Sequence, residues 1–141
     1  MTLAEILQAA PARLAAITEE DAAARPGPAR WSKKEILGHL IDSAGNNHQR
    51  FVRAQIEPHV VMPGYRQESW VQLQNYQSAA WTDLIALWLQ FNRHLAWVIA
   101  AAPPSALGHT LSIDGRPPVT LAFVMEDYVR HLEHHLGQIL E

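Results

Sequence analysis

Four stretches of this chain carry apolar residues at helical spacing, and each is bounded by residue types that start or stop a helix. That pattern confines the fold to a set of packed helices. The first stretch opens with Thr2 and Glu5, a reciprocal capping pair, and continues through Leu3, Ile6, Leu7, Leu14 and Ile17. It predicts a helix over residues 3–18, with a kink or local reset at Pro11. Arg25-Pro26-Gly27-Pro28 is too rich in proline and glycine to stay helical and reads as a linker. Ser32 and Glu35 repeat the capping pair and open a second helix that ends near Ile56, before Pro58. Ser78 is placed to cap a third, in which Trp81, Leu84, Trp88, Phe91, Leu95 and Val98 recur at bundle spacing until Pro103-Pro104. The fourth runs from Thr120 to Glu141.

The connections are less regular. Residues 59–76 read as a loop crossing the bundle with a short helix around Glu68 to Tyr76. Leu107 to Val119, with Asp114-Gly115 between apolar flanks, reads as a small hairpin or an extended lid. These extended pieces are expected to be too short for a sheet. The predicted architecture is all-α, a single domain over residues 1–141 folded as an antiparallel or mixed four-helix bundle.

Composition removes several classes of function. There is no cysteine, so disulfides, thiolate metal ligands and a cysteine nucleophile are all absent, and any metal must be held by histidine. The net charge of −3 and the lack of a basic block argue against nucleic acid and against an anionic membrane surface. The first residues carry no basic segment followed by an apolar core, and no uninterrupted apolar run approaches ~18 residues, so the cytoplasm is the expected compartment.

Chemistry concentrates on the last helix, in Tyr128-Val129-Arg130-His131-Leu132-Glu133-His134-His135. Residues four apart stand one above the other, so His131 and His135 aim at a common point at the edge of the apolar stripe. His134 and Glu133 point elsewhere. Three imidazoles on a divalent metal leave a coordination position open, the ligand set of a catalytic rather than a structural site. His39 on the second helix heads a polar column with Ser43, Asn46 and Arg50 and is the third candidate, with His94 in reserve. An HxxxH pair by itself is a weak signal, and on spacing alone solvent-facing or hydrogen-bonded core histidines are the preferred reading.

The run Trp31-Ser32-Lys33-Lys34-Glu35-Ile36-Leu37-Gly38-His39-Leu40-Ile41-Asp42-Ser43-Ala44, then Asn46-Asn47-His48-Gln49-Arg50-Phe51, together with Tyr128 to Ile139, resembles the DinB/YfiT-like family over nearly the whole chain. The resemblance implies a four-helix bundle, often dimeric, with a divalent metal (Zn, Ni or Fe) on one histidine of the second helix and the HxxxH pair of the last. These fall on His39, His131 and His135. It further implies a metal-dependent hydrolase or a thiol-dependent transferase acting on a small molecule. The rival expectation is a non-catalytic dimeric metal-binding or stress-response module.

Around the ligands, Asp42, Asn46 and Gln138 are expected to orient imidazoles or substrate. Trp31, Tyr65, Trp70 and Tyr128 serve either as a pocket wall or as core. Arg50, Arg53 and Arg66 are available to a carboxylate-bearing thiol. The second helix has a further apolar set, Leu37, Ile41, Val52 and Ile56, apart from the stripe of Ile36, Leu40, Ala44 and Phe51. Two-sided burial of one helix needs a second cover, which predicts a homodimer, with the 59–76 loop as the cover from within the chain.

Overall fold

The computed structural model describes residues 1–141. Its long helices are α1 (Leu3–Ala15), α3 (Lys33–Ile56), α5 (Trp81–Ala101) and α6 (Leu121–Leu140), with two short ones, α2 (Glu19–Ala23) and α4 (Gln67–Gln74). The starts follow the side chains that satisfy orphan backbone amides: Thr2 and Ser32 form complete capping boxes with Glu5 and Glu35, and Thr120 accepts from the amide of Phe123. Two boundaries differ from expectation. α1 passes through Pro11 without a break and stops at Ala15, because Thr18 goes on to cap the separate helix α2. Ser78 does not cap α5; it lies in a 3₁₀ turn, and the helix begins after Ala80 with no side-chain cap.

α3 packs against α5 and α6, and α1 against the same two, so four helices enclose one core. Its fully buried large side chains include Trp81, Trp88, Phe51, Leu14, Leu95 and Leu132. By composition α5 is long and apolar enough to cross a membrane; one face of it, Trp81, Leu84, Ile85, Trp88 and Leu95, is buried in this core, while Leu87 and Trp97 are exposed.

The expectation that the extended segments could not build a sheet is wrong. β1 (His59–Met62) pairs parallel with β2 (Thr110–Ile113), which pairs antiparallel with β3 (Val119–Thr120). Each segment alone is short, yet two long connections meet at the C-terminal end of α3. There the Thr110 amide donates to Pro58, and His109 Nδ1 lies 2.6 Å from the Ala54 carbonyl oxygen. The hairpin turns at Asp114-Gly115, both with positive φ (56° and 71°), closed by the Arg116 amide on Ile113. β3 leads directly into α6, so this sheet sets α6 against α3, and with it the two helices that carry the candidate ligands.

The segment from Gln67 to Ser78 folds back on α3. Tyr76 lies against Gly38, where an added Cβ would come within 2.1 Å of the ring. Leu37 and Ile41 are buried within the single chain, 0% and 7% exposed, whereas Val52 and Ile56 stay open at 39% and 75%. The argument that this whole face needs a second subunit therefore fails for its first half.

Candidate metal centre

α3 and α6 bring His39, His131 and His135 together, with one ring nitrogen of each within 4.8 Å of the others. His39 Nε2 and His131 Nε2 are 3.2 Å apart. Two nitrogens bound tetrahedrally at 2.0–2.1 Å would stand roughly 3.3–3.4 Å apart, so the spacing suits a shared ion. The ring centroids are 5.1 Å apart for His39 and His131, 4.9 Å for His39 and His135, and 4.5 Å for His131 and His135. His39 is fully buried with Trp31 tilted over it at 5.2 Å, and its Nδ1 has no partner. His94 is elsewhere, against His48 on the α3/α5 face at 5.2 Å, and drops out as the third ligand.

Burial first, and then the neighbouring imidazoles, bring His39 down to about 4; burial and His135 do the same for His131, with Asp127 pulling the other way. Both are held neutral at pH 7, the state in which an imidazole ligates a metal. No carboxylate enters the cluster. Three converging ring nitrogens with one face toward a cavity fit a divalent ion that retains an open position.

The neighbouring residues only partly follow expectation. Gln138 Oε1 lies 2.8 Å from His135 Nδ1, which orients that ring and leaves Nε2 for the site. Asp42 hydrogen-bonds no ligand imidazole: one oxygen accepts from Tyr76 Oη at 2.6 Å and Gln74 Nε2 at 2.7 Å, and burial raises its carboxyl. Asn46 turns back on its own helix and donates to the Asp42 carbonyl at 2.9 Å. The polar column continues through Asn47 instead, which is buried and donates to the Ser43 carbonyl at 2.9 Å. Sequence spacing missed this because a column of residues four and then three apart passes equally well through either asparagine.

A cavity of about 340 Å³ opens beside the cluster, and His131 is part of its wall. Ser43, Asn47 and Arg50 of α3, Tyr65 from the connection, and Asp127 and Tyr128 of α6 also face it. Of the four aromatics proposed as a pocket wall, Tyr65 and Tyr128 line this cavity, Trp31 covers His39, and Trp70 packs on Tyr65. Asp127 was missed: it stands one turn before His131 and is the carboxylate whose charge acts on that imidazole.

The comparisons with known proteins agree with this architecture. The chain is 26% identical over 111 residues to a Bacillus mycoides (strain KBAB4) protein named "putative metal-dependent hydrolase", a match covering 77% of this chain and 62% of that protein. The chain thus spans about three-fifths of the length of that curated relative. Among solved structures, Bacillus subtilis YfiT, described as a probable metal-dependent hydrolase with an unusual four-helix bundle topology, superposes with a TM-score of 0.83 at 20% identity. That match covers 97% of this chain and 81% of YfiT. A mutant of the mycothiol-dependent maleylpyruvate isomerase superposes with a TM-score of 0.72 at 11% identity, over 99% of this chain and 61% of that one. With the profile of the DinB superfamily matching residues 2–139, essentially the whole of the bundle and its sheet, the chain belongs to the DinB superfamily.

Proposed function

We propose that this protein is a divalent-metal-dependent hydrolase of a small molecule, with His39, His131 and His135 as the metal ligands. The observation that carries the reading is the convergence of three ring nitrogens within 4.8 Å, one of them on a histidine that also walls a cavity of about 340 Å³. Zinc, nickel and iron all suit imidazole ligands. A divalent ion held by these three imidazoles would supply Lewis acidity and would lower the pKa of a water or thiol bound to it. The chain's own residues do the rest: Gln138 holds His135 in its ligating orientation, Trp31 covers His39, and Asp127, on the cavity wall one turn from His131, is the carboxylate placed to take a proton from a substrate or water in the cavity.

Metal analysis of the untagged protein tests the site. About one ion per chain is expected, lost in His39→Ala, His131→Ala and His135→Ala and kept in His134→Ala, whose side chain is exposed. Loss in His134→Ala with retention in His135→Ala would overturn the ligand set. A screen of small esters and amides, each with and without added thiol, tests the reaction. Metal-dependent turnover without thiol supports hydrolysis, and turnover that requires thiol moves the assignment to thiol transfer. A metal-loaded protein inert in both screens favours the non-catalytic module.

A further inference from the structure

Arg50 is a half-buried guanidinium with no carboxylate partner. The ion pairs of this protein join Met1 to Glu133, Arg25 to Glu35, Lys34 to Glu19 and Arg130 to Asp127; none includes Arg50. Its one side-chain hydrogen bond, to Asn47 Oδ1, is long at 3.4 Å. Burial pulls the guanidinium below its ordinary value, opposed by the neighbouring Tyr65. A cation taken partly out of water without a partner is left under-neutralised, and an anion entering the cavity would gain from pairing with it.

Arg50 lies on the wall of the same cavity as His131. Donors surround it. Asn47 and Ser43 continue the wall toward His39, and the Tyr65 phenol, raised by burial and drawn back by the Ser43 hydroxyl and the Arg50 charge, faces the same space. Of the two acids on this wall, Asp127 pairs with Arg130 at 3.4 Å, and Asp114 is exposed in the hairpin turn against Gly64. Neither forms an ion pair with Arg50.

We infer that Arg50 is the anchor for a carboxylate of the substrate, binding it through the guanidinium fork while the opposite end of the molecule reaches the three-histidine cluster. The inference rests on the hydrolase reading for that opposite end only. A planar fork matches a two-oxygen anion in a way that a point charge does not. Arg50 is eleven residues beyond His39, roughly 16 Å of helix rise, shortened to the extent that the longer arginine side chain reaches further toward the helix N-terminus than the imidazole does. The substrate is therefore an elongated molecule with its carboxylate several bonds from the reacting group, within the roughly 300–1,000 Å³ range of ligand cavities.

Glutarate and its uncharged diamide are the probes, titrated into metal-free and zinc-loaded protein and followed by NMR shifts and calorimetry. The expected result is glutarate binding at least roughly tenfold tighter than the diamide, already without zinc, as a charge-assisted bond requires. Arg50→Leu should abolish that preference and Arg50→Lys should keep part of it, with zinc content and circular dichroism unchanged in both. Equal binding of the two probes, an Arg50→Leu protein that keeps the preference, or inorganic phosphate binding tighter than glutarate would overturn the assignment. Because the metal-free arm does not involve zinc, a protein that takes up no metal yet prefers glutarate through Arg50 would sink the metal centre and support the anchor.

Discussion

At the scale of single residues, the site depends on a few side chains whose surroundings decide their chemistry. Asp127 is exposed yet faces the cavity one turn from His131. On the proposed hydrolase reading, Asp127→Asn should lower kcat by about 10²–10⁴-fold, the usual contribution of a positioned acid or base, and leave metal content intact. An unchanged kcat would remove it from the reaction. Gly38 has a structural task. Its missing side chain is what lets Tyr76 lie on α3 and donate to Asp42. Gly38→Ala drives a methyl into that ring at 2.1 Å, and should cost about 1–3 kcal/mol in chemical denaturation through overpacking. Since Tyr76 fastens the connection to α3, the same variant should also raise hydrogen exchange across residues 67–78.

The element that organises the rest is the start of α3. Ser32 caps it, and Glu35 returns the bond to the Ser32 amide while its two oxygens accept from Arg25 at 2.8 and 3.2 Å. Lys34, buried in the same turn, pairs with Glu19 of α2 and donates to the Ala79 carbonyl at 2.6 Å, so one helical turn ties together three segments. Burial pushes the Glu35 carboxyl up, but the Arg25 guanidinium and the Ser32 amide outweigh it and hold the group below 4.5; Lys34 and the Trp81 amide hold Glu19 below it too. Groups depressed in the folded state bind protons more readily when the chain is unfolded. Their stabilisation is complete above pH 4.5 and is lost as the pH falls through the lowered values. Urea midpoints should therefore drop below pH 4.5, and Glu35→Gln should flatten that part of the profile; a profile unchanged by the substitution would show that the pair is not coupled to folding.

For the whole molecule, the outstanding expectation is assembly. Leu37 and Ile41 are covered within the chain, which leaves Val52 and Ile56 on α3, with Leu87 (50%) and Trp97 (73%) exposed on α5. The contact of His48 with His94 joins the two helices on this side. A homodimer through these residues is the expected state. Ile56→Glu is the informative substitution, because Ile41→Glu would put a charge into the core. Light scattering should show a dimer that Ile56→Glu converts to a folded monomer, and a monomeric wild type would refute the interface.

The bundle was legible in the sequence because helix formation is governed by local rules. Capping boxes at Thr2 and Ser32, prolines at 58 and 103–104, and apolar spacing within each helix act over one or two turns, and they marked α3 to within a residue. The aim of His131 and His135 at one point is local in the same sense. What spacing could not say is which residue of another helix meets them, since that depends on how α3 and α6 are clamped; only the polar column below His39 and the family resemblance favour it over His94. The three-stranded sheet, the turn of Asp42 away from the imidazoles toward Tyr76, and the place of Asn47 rather than Asn46 on the cavity wall were decided only in three dimensions. Each depends on pairing between residues more than thirty positions apart or on the rotation of a whole helix about its axis. Local periodicity leaves such a rotation undetermined by a residue or so, and packing settles it.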